Sequence, residues 1–312
     1  MIGRAAIFLA CLSAVCWLRL GPIRALAQAV PQAPPMRFAD PAGFLDRLFG
    51  AEPEEDRKAV DAVPLSPAEE RQIGQAMVDA FLAEAKRQKL PVVTRGKDVQ
   101  YLQDLVETIR PKMTHADRYR TINVYLVRSP LVDARSAPGG TLVFFRGLLD
   151  SVDSEAAVVS VVAHELSHLD RGHQLVRAKR MKLAQQSFQQ RAGQSSPMQS
   201  MGLALQAVQI WTRPFRPEDE TAADRDAARW AFESGYDPRA MLDVLEAIRR
   251  QKKGLTIPLP FFLRSHPAPE TRGEDVLKVF KELTGDSPGA KLYLGKENLR
   301  RRVALSRHRF PE

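Results

Sequence analysis

The chain has 312 residues, of which 44% are hydrophobic and 27% are charged, and its formal net charge is +9. This composition is that of an ordinary globular protein and excludes a fully disordered chain; the length allows one large domain or two small ones. The positive charge is spread along the sequence without an aromatic-basic recognition motif, so we expect no nucleic-acid partner. Contact with an anionic membrane surface is the simpler interpretation of such a charge.

Residues 1–27 have the features of a secretory signal peptide. Arg4 precedes an apolar run at residues 5–18, which is too short for a comfortable membrane span. An Ala-Leu-Ala sequence at residues 25–27 is a cleavage site and predicts removal of the segment. The alternative is an uncleaved inner-membrane anchor, because two arginines between the apolar run and the cleavage site are unusual.

Both cysteines of the chain, Cys11 and Cys16, lie in this first segment. The mature chain would therefore have no cysteine and form no disulfide bond. We predict the periplasm as its compartment, or the outer face of the inner membrane if the segment remains as an anchor. Residues 28–64 are rich in proline and charge, which predicts a linker before the folded domain at residues 65–284.

The first half of the predicted domain combines helices with a small sheet. Ser66 and Glu69 form a capping box, which starts a helix that runs to about residue 88. The spacing of apolar residues then predicts a second helix and two strands, at residues 98–109, 121–127 and 141–145. The fold class is therefore α+β and mainly α-helical.

The second of these strands contains the candidate substrate-binding residues, Thr141, Leu142, Val143 and Phe144. If this strand is an exposed edge of the sheet, an extended peptide can pair with its backbone. The alternative is an ordinary core strand.

A helix that starts at Asp153 or Ser154 contains the sequence His-Glu-Leu-Ser-His at residues 164–168. Side chains four residues apart lie on one face of a helix, so His164 and His168 can reach one metal ion. Glu165 lies about 100° around the helix axis and is the candidate general base. The apolar run before these residues predicts a buried helix, which we expect to continue past His173 toward residue 182. The alternative is a solvated helix end with two surface histidines.

A third metal ligand is expected on a later helix. His173 is one residue away from the position that longer zinc motifs use, whereas Glu220 and Asp224 share a helix face. One of these carboxylates can bind the metal while the other orients a histidine ligand. Two histidines, a glutamate and a water are the ligands of a catalytic zinc ion. The alternative is an acidic helix N-terminus.

Several further motifs follow one another in an order that resembles a known family, the HtpX-like and BepA-like zinc metallopeptidases that include the CAAX prenyl endopeptidase. These motifs are Ser-Ala-Pro-Gly-Gly-Thr at 136–141, Arg-Gly-Leu-Leu at 146–149, His-Glu-Leu-Ser-His with His173, Glu-Thr-Ala-Ala-Asp at 220–224, Gly-Tyr-Asp-Pro at 235–238 and Ser-His-Pro-Ala-Pro-Glu-Thr-Arg at 265–272. The resemblance covers roughly residues 66–283. The chain departs from it at residues 133–136, which read Asp-Ala-Arg-Ser where the family usually has Asn-Ala-Phe-Ala.

The resemblance implies a zincin-like domain that holds one Zn²⁺ ion through His164, His168 and Glu220. Asp224 is then the residue that orients a histidine ligand. His266 has three candidate roles: a fourth ligand that gives a latent state, a hydrogen bond to the tetrahedral intermediate, or the cap of a helix near residue 269. Arg272 would bind a ligand carboxylate or steady an acidic side chain near the metal. His173 would support the metal region, or lie on the surface.

Two segments outside these motifs have a distinct composition. Residues 185–201 are polar and predict a flexible loop between the metal-binding helices, either a lid or a disordered segment. Residues 285–312 are rich in lysine and arginine and predict a basic tail, which is solvated or binds anionic lipid.

The predicted function is zinc-dependent hydrolysis of peptide bonds, with Glu165 as the base that accepts a proton from water. The resemblance implies that the protein and peptide substrates are misfolded or misassembled envelope proteins. One alternative is a zinc-bound, chaperone-like assembly factor of the periplasm with little or no proteolysis. A second alternative is a structural zinc domain with four closed ligands.

Overall fold

The computed structural model describes residues 60–191, 207, 210–211, 213–254, 271–285 and 292–312. The predicted signal segment, the linker up to residue 59, the loop from residue 192 and His266 lie outside the described residues. In the described part of the chain, the helices are α1 (Pro67–Arg87), α2 (Lys97–Ile109), α3 (Arg146–Ser151), α4 (Glu155–Asp170), α5 (His173–Arg191), α6 (Pro217–Glu233), α7 (Met241–Gly254), α8 (Arg272–Thr284) and α9 (Lys296–Arg301). The strands are β1 (Val92–Val93), β2 (Asn123–Val127), β3 (Ala134–Ala137) and β4 (Thr141–Phe145). The predicted α+β, mainly helical fold is confirmed.

The four described strands form one sheet in the order β1-β2-β4-β3. Strand β4 runs parallel to β2 on one side and antiparallel to β3 on the other. Because both of its backbone edges are paired, Thr141, Leu142, Val143 and Phe144 cannot hold a peptide as an edge strand, and that prediction is wrong. The edges of the sheet are β1 and β3, and β3 is the edge strand beside β4. Its sequence, Ala-Arg-Ser-Ala, does not have the alternation of a strand.

The sheet separates two groups of helices. Leu142 and Phe144 belong to the same apolar cluster as α2 and α4, while Val143 and Phe145 pack with α1 and α5. This alternation follows from the pleat, which points successive side chains to opposite faces. The α4 helix therefore lies against one face of the sheet, and β3 is the strand beside it.

Helix α4 is buried along its whole length. The Ser154 hydroxyl caps it by accepting a hydrogen bond from the backbone N–H of Ala157 at 3.2 Å. All sixteen of its residues are buried, as its apolar sequence predicts. The helix ends at Asp170, and Gly172 follows with φ of +76°. A left-handed residue at this position stops a helix, so the predicted continuation toward residue 182 is wrong.

A separate helix, α5, begins at His173 and extends to Arg191. Residues 185–191 are therefore helical, and the predicted flexible loop does not begin at residue 185. Polar side chains are compatible with a helix, because only one of its faces needs an apolar partner.

The last 21 residues pack against the domain and do not form a separate solvated tail. Tyr293, Leu299 and Ala304 are buried in the same apolar cluster as α4. Lys296, Arg300 and Arg301 are exposed, whereas Arg302 is largely buried and lies 3.0 Å from Asp98. Arg307 pairs with Asp104, also on α2, at 2.8 Å. The apolar positions interspersed among the charges are the physical reason why residues 292–312 dock. None of the helices in the described part of the chain has the length and apolar character of a membrane span.

Candidate metal centre

The side chains of His164, His168 and Glu220 converge between α4 and α6. The two histidines lie one helical turn apart, and their Nε2 atoms are 3.1 Å from each other. The Glu220 carboxylate lies 3.6 Å from the Nε2 atom of each histidine. All three side chains are buried in the interface between the two helices.

These distances fit a zinc ion. Tetrahedral zinc with metal–nitrogen bonds of about 2.0–2.1 Å separates its ligand atoms by roughly 3.3 Å. The three ligand atoms of this cluster all lie within 4.8 Å of one another, and the separations of 3.1 and 3.6 Å bracket the ideal value. Imidazole nitrogen and carboxylate oxygen are also ligands that zinc prefers. The cluster can therefore hold the metal.

Asp224 and Arg272, two further residues that the sequence analysis singles out, lie beside the cluster. Asp224 Oδ1 lies 2.9 Å from Nδ1 of His164, the ring nitrogen on the side away from the metal cluster. Arg272 donates two hydrogen bonds to Asp224, at 2.6 and 2.7 Å, and its Nη1 atom lies 3.1 Å from Glu220. Burial would raise the pKa of Asp224, but the contacts with His164 and Arg272 lower it below its usual value. This carboxylate is therefore ionised and able to orient His164.

His173 contacts the other metal-binding histidine. The turn at Gly172 redirects the chain, so the Nδ1 atoms of His173 and His168 lie 2.8 Å apart. The opposite nitrogen of His173 lies 3.4 Å from Asp219. His173 is buried, so of the two predicted positions it takes the one beside the metal cluster and not the surface one.

An aromatic contact with His168 was not predicted from the sequence. The Phe215 ring stacks on the His168 imidazole, with centroids 3.9 Å apart and an angle of 12° between the planes. The guanidinium of Arg177 also lies over the Phe215 ring, 3.6 Å from its centroid. Burial is the main reason why the pKa of Arg177 falls to about 9. No sequence spacing links Phe215 to α4, because the contact is created by the approach of α6 and the segment before it.

Glu165, the residue next to His164, is held by β3. Its Oε2 atom accepts hydrogen bonds from the backbone N–H of Ser136 at 2.6 Å and from the Ser136 hydroxyl at 2.8 Å. The strand that donates these hydrogen bonds to the candidate base is β3. Ser136 is the last residue of the segment that departs from the family resemblance, which was the one signal in the sequence that pointed to it.

A helical domain in which two histidines of a buried helix and a glutamate of a second helix converge, with another glutamate beside them, defines a metallopeptidase. Comparison with known proteins gives the family. The family model of peptidase family M48 matches residues 97–279, which include every residue of the described metal cluster. The chain belongs to peptidase family M48, and its described residues include the ligand set of a zinc metallopeptidase.

Named relatives agree with this family. The Beta-barrel assembly-enhancing protease of Escherichia coli (strain K12) is 30% identical over 223 residues, which are 68% of this chain and 44% of the relative. The protein of the same name from Yersinia pestis is 30% identical over 62% of this chain and 41% of the relative. The mitochondrial metalloendopeptidase OMA1 of Homo sapiens is 25% identical over 48% of this chain and 31% of the relative. The chain spans less than half the length of these relatives.

Proposed function

We propose that the protein is a periplasmic endopeptidase that cleaves misfolded or misassembled envelope proteins, with Glu165 as its general base. The observation that carries the proposal is the convergence of His164, His168 and Glu220 beside Glu165. In this assignment the first three residues hold one zinc ion. Bound zinc supplies Lewis-acid chemistry, because it makes a water acidic near neutral pH and polarises a carbonyl group.

The residues of the chain would share the remaining chemistry. Glu165 accepts a proton from the attacking water and delivers it to the nitrogen of the leaving amine. The water oxygen forms a bond with the carbonyl carbon, and the carbon–nitrogen bond breaks. Asp224 keeps the His164 ring in place by accepting a hydrogen bond from its Nδ1–H group, while His173 performs the equivalent task for His168. Arg272 balances the negative charge of Asp224 and Glu220.

The substrate class and the compartment are the less direct parts of the proposal. The predicted signal peptide at residues 1–27 favours export to the periplasm. The name of the bacterial relatives concerns the assembly of β-barrels, which supports envelope proteins as the substrate class. The positive charge of the chain is compatible with contact between the enzyme and a membrane surface.

The test is cleavage of two unfolded proteins by the zinc-loaded wild type: reduced, carboxymethylated lactalbumin and an unfolded outer-membrane β-barrel protein. The folded β-barrel is the control substrate. We expect cleavage of the unfolded forms, loss of activity with a chelator, and recovery when zinc is added back. Glu165→Gln should keep its zinc and cleave at least about 100-fold more slowly, because it loses the general base.

Three outcomes would contradict all or part of the proposal. Turnover of the wild-type level in Glu165→Gln would remove the assigned base. A wild type that holds zinc but cleaves neither unfolded protein, while it suppresses their aggregation, would favour the chaperone-like assembly factor. Cleavage of lactalbumin but not of the unfolded β-barrel would keep the endopeptidase and reject the envelope-protein substrate.

A further inference from the structure

The contact between β3 and the metal-binding helix has an unusual donor arrangement. Ser136 donates twice to the same oxygen of Glu165, once from its backbone at 2.6 Å and once from its hydroxyl at 2.8 Å. Ser136 is 1% exposed and Glu165 is 2% exposed, so water competes little for either hydrogen bond. Hydrogen bonds to a charged group are the stronger ones in proteins.

The direction of the hydroxyl proton follows from the neighbouring side chain. The Ser136 carbonyl oxygen can only accept, and it receives hydrogen bonds from Gln174 Nε2 at 2.9 Å and from Trp211 Nε1 at 2.7 Å. Gln174 must therefore present its NH₂ group to Ser136, and the same nitrogen lies 2.9 Å from the Ser136 hydroxyl oxygen. That oxygen accepts from Gln174, which leaves the hydroxyl proton to be donated to Glu165.

We propose that Ser136 is a positioning residue for catalysis, which holds Oε2 of Glu165 so that Oε1 exchanges protons with the reacting water. This inference rests on the proposed role of Glu165 as the base. Gln174 and Trp211 fix Ser136 in turn, so the arrangement extends from α5 through β3 to the base.

The need for such a device follows from the flexibility of a glutamate. The terminal torsion of a glutamate side chain is broad, so its carboxylate rotates easily unless hydrogen bonds hold it. Two donors on one oxygen fix the plane of the carboxylate and assign different tasks to its two oxygens. A base that is misplaced by rotation works more slowly even when substrate and metal are bound normally.

The hydroxyl is a feature of this chain and not of the pattern it resembles. Residues 133–136 read Asp-Ala-Arg-Ser, where the resemblance leads us to expect alanine in the last position. An alanine would supply the backbone N–H but not the second donor. Ser136→Ala therefore separates the two hydrogen bonds and leaves the backbone of β3 in place.

The experiment compares five variants of the full, zinc-loaded chain with the wild type in cleavage of the unfolded lactalbumin substrate, and one of them is the base variant Glu165→Gln. Ser136→Ala removes the hydroxyl, while Ser136→Thr and Ser136→Val have the same shape and differ by the hydroxyl alone. Ser160→Ala is the matched control, since Ser160 is equally buried but its hydroxyl donates only to the carbonyl of Ala156 at 2.9 Å. The measured quantities are kcat, KM, zinc per chain and Tm.

We expect kcat to fall about tenfold in Ser136→Ala, with KM changed less than twofold and zinc content unchanged, because the base is positioned less well while substrate and metal binding are unaffected. Ser136→Thr should have a kcat about fivefold above that of Ser136→Val, because only threonine keeps the hydroxyl. If the role of Ser136 were purely structural, the methyl group that both variants add would lower kcat equally in the two. Ser160→Ala should keep the kcat of the wild type.

Two results would overturn the proposal. One is a wild-type kcat in Ser136→Ala; the other is equal kcat values for the threonine and valine variants. Wild-type turnover and its loss in Glu165→Gln are measured in the same series. If Glu165→Gln is inactive and Ser136→Ala is not, only the role of Ser136 is wrong. If the wild type itself fails to cleave, the proposed function and this inference fall together.

Discussion

The two ends of helix α4 bury ionisable groups in opposite ways. At its start, Glu155 is fully buried, and its Oε1 atom accepts hydrogen bonds from the Tyr236 hydroxyl at 2.7 Å and the Leu305 N–H at 2.8 Å. At the other end, the atoms of His164, His168 and Glu220 that face one another all offer electron pairs. Lone pairs that face one another repel, so a group of such atoms is stabilised by a cation between them.

The difference separates a structural acid from a functional one. Burial raises the pKa of Glu155 to about 7, a value that suits a catalytic acid or base. However, its donors come from the segment between α6 and α7 (Tyr236) and from the C-terminal segment (Leu305), so this carboxylate joins distant parts of the chain. The raised pKa of Glu155 therefore does not mark its end of α4 as catalytic. The convergence of metal-ligand atoms at the other end is the better guide.

The sharpest way to test this comparison is to make the same substitution at both ends. Glu220→Gln removes a charged metal ligand, and we expect zinc to be lost on dialysis and kcat/KM to fall at least about 10³-fold, since the metal contributes several kcal/mol. Glu155→Gln should keep one zinc per chain and stay within about twofold of the wild-type kcat/KM.

The measurement is metal analysis after dialysis, with cleavage of the unfolded substrate on the same samples. If Glu220→Gln retains a full complement of zinc, the third ligand lies elsewhere. If Glu155→Gln loses zinc, the two ends are coupled and the separation of their roles is wrong.

A second, somewhat smaller effect concerns the pH dependence of stability. The pKa of Glu155 is about 7 in the folded chain against 4.5 for an ordinary glutamate, mainly because of burial. A raised pKa means that the folded protein holds the proton more tightly. The stabilisation is therefore fully present below pH 4.5 and is lost as the pH rises to about 7 and above.

The free energy of unfolding of the wild type should fall relative to that of Glu155→Gln by about 3 kcal/mol between pH 4.5 and pH 8. The glutamine retains an acceptor oxygen for Tyr236 and Leu305 but does not titrate. Denaturant unfolding of both proteins across this range is the measurement, and the difference between them cancels the other titrating groups. Parallel pH curves for the two proteins would show that Glu155 is ionised when folded.

The sequence predicts best those parts of the site that depend on helical periodicity. His164 and His168 on α4, and Glu220 and Asp224 on α6, are local pairs whose spacing alone places them on one face. The resemblance then supplied Arg272, which indeed contacts both carboxylates.

Contacts between segments that are distant in the chain could not be predicted from sequence patterns. The residues of β3 do not alternate between apolar and polar, so only the family resemblance indicates a strand there. Neither source predicts that β3 lies at the edge of the sheet beside β4, or that Ser136 contacts Glu165. Leu305 reaches Glu155 across 150 positions of the chain, which a composition-based view of a basic tail cannot detect. The end of α4 was different, because Gly172 is a recognisable stop signal that the helical pattern overrode.

The smallest expected effect concerns two buried acids on α6, Asp224 and Asp226. It tests whether Asp224 supports the metal site specifically or only contributes to the packing of the helix. Asp224→Asn keeps an oxygen near His164 but removes a negative charge from Arg272. The guanidinium, 3.1 Å from Glu220, then attracts that carboxylate more strongly and draws it away from the metal. Residues that orient metal ligands typically contribute 10–100-fold to metal affinity, so we expect zinc affinity to fall by about that factor.

Asp226→Asn is the matched control. Asp226 is also a largely buried acid on α6, but it accepts hydrogen bonds from Ser167 at 2.7 Å and from Arg171 at 2.5 and 2.8 Å and touches no metal-binding residue. This variant should lower Tm while its zinc affinity, measured by competition with a chromogenic chelator, stays within about twofold of the wild type. Equal losses of zinc affinity in the two variants would mean that α6 supports the metal through its overall packing, and that the contact of Asp224 with His164 has no special role.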